Sequence, residues 1–195
     1  MKKILITAFE PFDGHASNSS YEVVKKISTQ FDDVMIIKET LPVVYQPEIY
    51  QELLIKHQPD VVLLCGQAAG RKFVGIEQVA INLKYATAPD NDGVVKKGET
   101  IFAGSDVAYF GSIPTIDIVD QLKEFPLKLS LSAGGYVCNM AFYSTIYYSI
   151  KHQMDAKVGF IHFPLYDGQI NEQDLPTLPL KKMVDVLNHI IKTLI

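Results

Sequence analysis

Short apolar runs alternate with amphipathic stretches along the chain, and this alternation is the feature that most constrains its fold. Residues 2–9, KKILITAF, predict a strand, and residues 59–67, PDVVLLCGQ, predict a central strand because a β-branched run is bounded by Pro-Asp and Gly. Strands that alternate with helices build a mainly parallel sheet covered on both faces. We therefore predict an α/β fold, a single-domain α/β/α sandwich over residues 1–195 with a mainly parallel, mixed central sheet.

The remaining elements follow from the same periodicities. Further strands are predicted at 33–41, 75–83, 127–132 and 157–164, and helices at 20–31, 47–57, 113–125, 137–152 and 178–195. Ser19 or Ser20 is expected to cap the first helix, and Ile49, Leu53 and Ile55 to form the inner face of the second. A hairpin tip is expected at 91–93. In such sheets, sites form where the carboxyl ends of strands lead into helices.

Composition excludes several classes of function. The net charge is −4 without basic blocks, which gives no indication of nucleic-acid or anionic-membrane binding. Two cysteines are too few for a disulfide framework or a thiolate zinc site, and they suggest a reducing compartment. The apolar run near the start is shorter than a secretory h-region, and no run reaches the roughly 18 residues of a membrane span.

Cys138 follows the Gly134–Gly135 pair and opens a predicted helix. A helix N-terminus favours an anion, so a thiol there can have a lowered pKa and act as a nucleophile. Its free N–H groups can also hold an oxyanion, and the glycine pair lets the backbone approach a substrate. The alternative is an ordinary buried thiol, since free cysteine is among the most buried residue types. Cys65, in the central strand, is interpreted as such a buried, inert thiol.

A cysteine nucleophile needs a base, and five histidines are available. His162 ends an otherwise apolar strand before a proline, which suggests either the base or a hydrogen-bonded core histidine. His15 lies in the first loop and could approach a site. His57 and His152, near helix ends, and His189 in the last helix are expected at the surface.

A third group should orient the histidine. Glu77 interrupts an apolar strand after a glycine-rich loop, where a carboxylate needs a partner. It could also point outward from a strand edge. Glu10 is a second candidate, and the residues alone do not decide between them.

Three stretches together resemble the pyroglutamyl-peptidase I family of cysteine peptidases: ITAFEPFDGHASNSSYEVV, CGQAAGRKFVGIEQVAINLKYATAPDNDG, and SAGGYVCNMAFY with GFIHFP. They span nearly the whole chain in the family's order and spacing. The resemblance implies a catalytic triad of Glu77, Cys138 and His162 and an α/β/α sandwich. It further implies a cytosolic homotetramer that uses no metal or other cofactor, with thioester acyl transfer as the mechanism.

The resemblance also implies a substrate, a peptide with an N-terminal pyroglutamyl (5-oxoprolyl) residue. Phe9 and Phe12 would flank the ring, while Gln67, Tyr136 and Val137 would lie in the pocket. Phe9 could equally be a core residue at a strand end. Hydrogen bonds from the first loop or Gln67 to the lactam would reject a proline, which lacks the ring carbonyl.

The chain departs from the family pattern at four positions, the first of which is Ala8, where the family prefers glycine. Gln78 and Thr87 stand where the family usually has arginine, so a cation is lost unless Arg71 or Lys84 supplies it. Asp13 stands where the family prefers glycine. Two other functions stay open: a pyroglutamyl-binding module with weakened catalysis, and a related cysteine amidase acting on another small lactam or amide.

Overall fold

The structure is a computed structural model that describes residues 1–169 and 174–195. Its described strands are β1 Lys2–Phe9, β2 Val34–Leu41, β3 Val61–Gln67, β4 Val74–Glu77, β5 Val79–Ile81, β6 Lys84–Tyr85, β7 Lys97–Glu99, β8 Ala108–Phe110, β9 Leu127–Ser130, β10 Lys157–Phe163, β11 Leu165–Tyr166 and β12 Thr177–Leu178. Its described helices are α1 Ser19–Lys26, α2 Glu48–His57, α3 Thr115–Gln121, α4 Val137–Lys151 and α5 Leu180–Thr193.

The main sheet has the strand order β2-β1-β3-β10-β4-β9. All neighbouring strands in it are parallel except β10 and β4, which run antiparallel. The prediction of a mainly parallel, mixed sheet is confirmed. Because β1, β3 and β10 are parallel, Phe9, Gln67 and Phe163 all end strands at the same edge of the sheet.

Two apolar layers cover the two faces of this sheet. On one face, Ile4 and Ile6 of β1 belong to a core shared with α1, α3 and α5. On the other face, Leu5 and Phe9 belong to a core shared with α2 and α4. This alternation follows from the two-residue period of a strand, and it confirms the α/β/α sandwich.

Two helix details differ from the sequence prediction. The N-cap of α1 is Asn18, whose side chain accepts the Ser20 N–H, and not Ser19 or Ser20. In α2 the buried positions are Tyr50 and Leu54, while Ile55 is 54% exposed. Ile49 and Leu53 are half-buried and pack against the same core, as predicted, so the prediction was wrong only at Ile55. It missed Tyr50, because α2 packs against α4 through this buried tyrosine, which the apolar pattern did not include.

The predicted strand at 75–83 is two strands in different sheets. Its first part, β4, lies in the main sheet, while β5 pairs with β8. The change occurs at Gln78, whose N–H bonds to Ser130 and whose carbonyl accepts the Gly111 N–H. The predicted turn at 91–93 is confirmed: the Gly93 N–H bonds to the Asp90 carbonyl, and β6 and β7 pair on either side of it.

In the ranges that the structure describes, no helix has the length and apolar character needed to cross a bilayer.

Candidate active site

His162 and Glu77 meet on neighbouring strands of the main sheet. His162 lies near the end of β10, and Glu77 ends β4, which pairs antiparallel with β10 so that Phe160 lies opposite Glu77. The His162 Nδ1 is 2.7 Å from the Glu77 Oε1, and both side chains are buried. The sheet therefore decides between the two acidic candidates, since Glu77 contacts the histidine. Glu10 instead accepts hydrogen bonds from Asn91 and from the Val43 N–H.

Arg71 is a second partner of the same carboxylate. Its Nη1 lies 2.7 Å from the Glu77 Oε1, and its Nη2 donates to the Ser132 carbonyl at 3.4 Å. Gly75 makes room for the guanidinium, because a Cβ built there would collide with Nη1. Arg71 thus links the carboxylate to the loop that leads into α4. Of the two cations expected as replacements for arginine at 78 and 87, Arg71 therefore contacts Glu77, whereas Lys84 pairs with Glu99.

The charges of this pair follow from burial and contact. Burial raises the pKa of Glu77, but the bond and charge of His162, with smaller contributions from Ser130 and Arg71, outweigh it and lower the pKa below its ordinary value. Burial lowers the pKa of His162 below its ordinary value, although Glu77 opposes this. An ionised Glu77 can only accept a hydrogen bond, so a neutral His162 carries its proton on Nδ1. The Nε2 of His162 then carries no proton and can accept one as a base.

Cys138 is the second residue of α4 and is partly buried. Its Sγ lies over Gly66 of β3, 2.8 Å from where a Cβ would stand on that glycine. Gly66 is the parallel neighbour of His162, so the thiol is held over the strand next to the histidine. Among the described residues no hydrogen bond joins the thiol to His162.

The protonation state of this thiol differs from the sequence expectation. Burial, followed by the charge of Glu77, raises the pKa of Cys138 to about 12, against the lowering effect of Arg71 and of a backbone hydrogen bond. The prediction of a lowered thiol pKa was wrong, because burial outweighs the helix N-terminus. The resting pair is therefore a neutral thiol beside a neutral imidazole.

A small pocket beside Cys138 brings together the residues that the resemblance assigned to the substrate. Its volume is about 260 Å³, counting space open to solvent. Its lining comprises Phe9, Phe12, Asn18, Val43, Gln67, Tyr136, Val137 and Cys138. All five predicted substrate residues thus lie in one pocket with the candidate nucleophile.

Aromatic rings form much of one wall. Phe12 lies 5.9 Å from Tyr136 between ring centroids, and Tyr45 meets Tyr136 edge-on at 5.7 Å. The Tyr136 hydroxyl donates to the Pro89 carbonyl at 2.8 Å, which fixes its ring. Phe9 is 2% exposed, so it serves the core and the pocket at once.

The structure shows the surroundings of three positions that depart from the family pattern. The Gln78 side chain accepts a hydrogen bond from the Thr115 hydroxyl, and Thr87 is exposed. Asp13 has a φ of +53°, a conformation that glycine adopts freely and aspartate tolerates. This backbone explains the family's glycine at this position.

The structure shows the surroundings of three further residues that the sequence singled out. Gly135 makes a close approach to the backbone of Tyr85, because a Cβ there would lie 2.7 Å from the Tyr85 carbonyl oxygen. The approach of the Gly134–Gly135 pair to a substrate stays a prediction. His57 is not a free surface residue, since its Nε2 lies 2.7 Å from Glu39. Cys65 is buried, and burial raises its thiol pKa, as expected for the buried, inert thiol predicted from the sequence.

Comparison with known proteins agrees with this geometry. A family model described as pyroglutamyl peptidase matches residues 2–195. The chain belongs to the pyroglutamyl peptidase family. A pyrrolidone-carboxylate peptidase from Thermosipho africanus is 39% identical over 99% of this chain and 97% of its own length. One from Thermococcus onnurineus is 39% identical over 98% of each chain.

Solved structures of pyroglutamyl peptidases show the same fold. The pyroglutamyl peptidase I of Bacillus amyloliquefaciens superimposes with a TM-score of 0.93 at 36% identity, covering 98% of this chain and 94% of that one. A mutant pyrrolidone carboxyl peptidase from Pyrococcus furiosus gives a TM-score of 0.92 at 30% identity, over 97% and 96%. The family that the motifs predicted is confirmed.

Sequence reasoning missed several residues of this site. Asn18 and Val43 line the pocket, and Gly66 and Gly75 make room beside His162. Asn18 carried a signal, because asparagine before a helical pattern is a favoured N-cap. Val43 carried none, since a loop valine gives no indication of what it faces. Within residues 1–169 and 174–195, no group of three or more His, Cys, Asp or Glu side chains could hold a metal ion.

Proposed function

We propose that this chain is a cysteine peptidase that removes N-terminal pyroglutamyl residues from peptides, with Cys138 as nucleophile, His162 as base and Glu77 as the group that orients His162. The observation that carries the proposal is the single pocket in which Phe9 and Gln67 lie beside the candidate nucleophile. The Nδ1–Oε1 contact of 2.7 Å between His162 and Glu77 supports the assigned roles.

The proposed reaction is an acyl transfer. The Nε2 of His162 takes the thiol proton as the sulfur of Cys138 attacks the pyroglutamyl carbonyl, because the resting thiol is neutral. The imidazolium formed is stabilised by the ionised Glu77. His162 then protonates the leaving amine, and a thioester remains on Cys138. Water, deprotonated by His162, hydrolyses the thioester and releases pyroglutamate.

The oxyanion formed during attack needs hydrogen-bond donors. Cys138 lies in the first turn of α4, where the N-cap Tyr136 makes no side-chain capping bond. First-turn N–H groups have no intrahelical acceptor, and they carry the positive end of the helix dipole. They are therefore suited to stabilise the oxyanion.

The pocket suits an uncharged lactam ring. Phe9 and Phe12 offer apolar faces, and the buried Gln67 Nε2 has no partner among the described residues. We assign this donor to the ring carbonyl of the substrate. A prolyl ring lacks that carbonyl and would leave a buried donor unpaired, a mismatch for which discrimination reaches about 10⁴.

Arg71 favours a peptidase over a binding module with weakened catalysis. That alternative was motivated by the missing arginines at Gln78 and Thr87, and Arg71 places a cation on the Glu77 carboxylate. From the family resemblance we also propose a cytoplasmic homotetramer without a cofactor. The net charge of −4 accords with the absence of a nucleic-acid partner.

Release of a fluorescent amine from a pyroglutamyl amide and from the matching prolyl amide tests the proposal. We expect turnover of the pyroglutamyl amide alone and its abolition in Cys138→Ser, with little change in melting temperature. Cys65→Ala is the matched control and should keep its activity, because Cys65 lies in the other core of the sheet. Full activity of Cys138→Ser, or equal turnover of both amides, would refute the proposal.

A further inference from the structure

The pocket holds one side-chain amide nitrogen that is buried without a partner among the described residues. Gln67 is 7% exposed, and its Nε2 makes no hydrogen bond in the part of the chain that the structure describes. The other polar side chains of the wall are occupied: Asn18 donates to the Glu10 carbonyl and accepts from Ser20, and Tyr136 donates to Pro89. The orientation of the Gln67 amide therefore decides whether the pocket presents a donor or an acceptor.

Two donors hold the oxygen of this amide. The Ser19 main-chain N–H donates to the Gln67 Oε1 at 2.8 Å, and the Gln169 Nε2 donates to the same oxygen at 2.9 Å. A main-chain N–H can only donate, so the atom that faces Ser19 must be the oxygen. The Nε2 is consequently the atom left unpaired.

The Gln169 amide is itself oriented by main-chain groups. Its Nε2 donates to the Ser17 carbonyl at 3.2 Å, and its Oε1 accepts the Tyr166 N–H at 3.3 Å. A carbonyl only accepts and an N–H only donates, so these two contacts fix which end of Gln169 points to Gln67. The Tyr166 hydroxyl adds a 2.9 Å bond to the Ser17 hydroxyl and holds the two loops together.

We propose that Gln169 is a positioning residue that determines ring specificity, because it holds the Gln67 amide with its N–H group toward the pocket. This inference rests on the proposed function for its substrate, an acyl ring with a carbonyl acceptor. Gln169 contacts no substrate atom in this scheme. It acts through Gln67, and it lies just after β11, the short strand that follows the strand of the candidate base, His162.

Effects of different size are expected from two substitutions of Gln169 with similar shape. In Gln169→Glu, an ionised carboxylate would face the Gln67 Oε1 and favour the flipped amide, which presents an acceptor to the ring carbonyl. In Gln169→Met, one donor to Oε1 is lost, but the Ser19 N–H still holds the amide. The glutamate variant should therefore lose more specificity than the methionine variant.

The test is the ratio of kcat/KM for a pyroglutamyl amide to that for the matching prolyl amide. We expect this ratio to fall about 100-fold in Gln169→Glu and less than about tenfold in Gln169→Met, through a raised KM with kcat largely kept. Gln121→Glu, on the exposed end of α3, makes the same change of charge and should leave the ratio unchanged. An unchanged ratio in Gln169→Glu, or equal loss of activity on both amides, would overturn the inference.

Binding measurements separate failure of this inference from failure of the proposed function. If the unmodified protein does not cleave the pyroglutamyl amide, the proposed peptidase function fails. The rise in melting temperature with free pyroglutamate, relative to proline, then tests Gln169 directly. A preference for pyroglutamate that is lost in Gln169→Glu supports the inference, and a preference that persists overturns it.

Discussion

At the scale of single residues, two glycines make the candidate site possible. Gly66 and Gly75 are the neighbours of His162 on the two adjoining strands. One leaves space for the sulfur of Cys138 and the other for the guanidinium of Arg71. The sequence shows both glycines, but only the pairing of the strands shows what each one accommodates.

Gly66→Ala is expected to impair activity more than stability. The added Cβ would stand 2.8 Å from the Cys138 Sγ and 2.9 Å from the Phe160 ring, so the sulfur must shift. A misplacement of about 1 Å can cost about 100-fold in rate, and we expect a loss of that order in kcat/KM.

Gly159→Ala is the control for this experiment. Gly159 lies on β10, and a Cβ there would crowd the Ile113 side chain, away from the thiol. The substitution should lower the melting temperature while keeping activity. If Gly66→Ala keeps full activity, the placement of the sulfur over this glycine is wrong.

Arg71→Met is expected to change the pH dependence of activity. Arg71 lowers the pKa of His162 and that of Cys138, so its removal raises both. The base must be unprotonated to act, so the acid limb of kcat/KM should move to higher pH. We expect activity to fall about tenfold at neutral pH and further at pH 6.

Lys72→Met removes an exposed neighbouring cation and should leave the profile unchanged. A uniform loss at every pH in Arg71→Met would show that Arg71 acts only on folding or position.

At the scale of elements, the N-terminus of α1 joins the first strand to the pocket. Asn18 caps the helix through Ser20, and the Ser20 hydroxyl accepts the Phe9 N–H at 3.2 Å. Asn18→Ala should cost about 1 to 2 kcal/mol in the free energy of unfolding, as the loss of an N-cap typically does, and should raise KM.

Asn18→Ser restores a capping oxygen without the bond to Glu10. Chemical denaturation should therefore place its stability between those of the original protein and Asn18→Ala. Equal stabilities for the two variants would mean that the cap contributes nothing.

Element types were predictable from local pattern, whereas their boundaries and faces were not. β1 was predicted to its last residue because an apolar run meets a Pro-rich loop. The division of 75–83 into β4 and β5 depends on two hydrogen bonds to residues distant in sequence: the Gln78 N–H donates to the Ser130 carbonyl, and the Gly111 N–H donates to the Gln78 carbonyl. The buried face of α2 likewise depends on α4, the helix against which it packs.

At the scale of the whole molecule, the buried pair of His162 and Glu77 should make stability fall with acidity. The folded pKa of His162 lies below its ordinary value of 6.5, so the unfolded chain binds more protons near pH 6. Neutral His162 therefore stabilises the folded state above pH 6.5. As the pH falls below that value, the free energy of unfolding decreases by up to about 1.4 kcal/mol per pH unit. The pKa of Glu77 is also lowered from its ordinary value of 4.5. Ionised Glu77 therefore stabilises the folded state above that pH, and this stabilisation is likewise lost as the pH falls below it.

Denaturation between pH 7 and pH 5 measures this effect. His162→Gln should flatten the dependence of the unfolding free energy on pH, and His152→Gln, at an exposed position, should leave it unchanged. Equal slopes in the original protein and His162→Gln would contradict a buried neutral histidine.

The sequence by itself determined the layered α/β fold, the family, and the three residues now proposed as the triad. Periodicity, strand ends and motif spacing are local properties, and they can be recognised in the sequence without knowledge of the packing. Tertiary structure alone decided the neutral state of the Cys138 thiol, the roles of Arg71 and Gly66, and the pairing of Gln169 with Gln67. Each of these depends on burial or contact between segments far apart in the chain, and no local pattern records which segments meet.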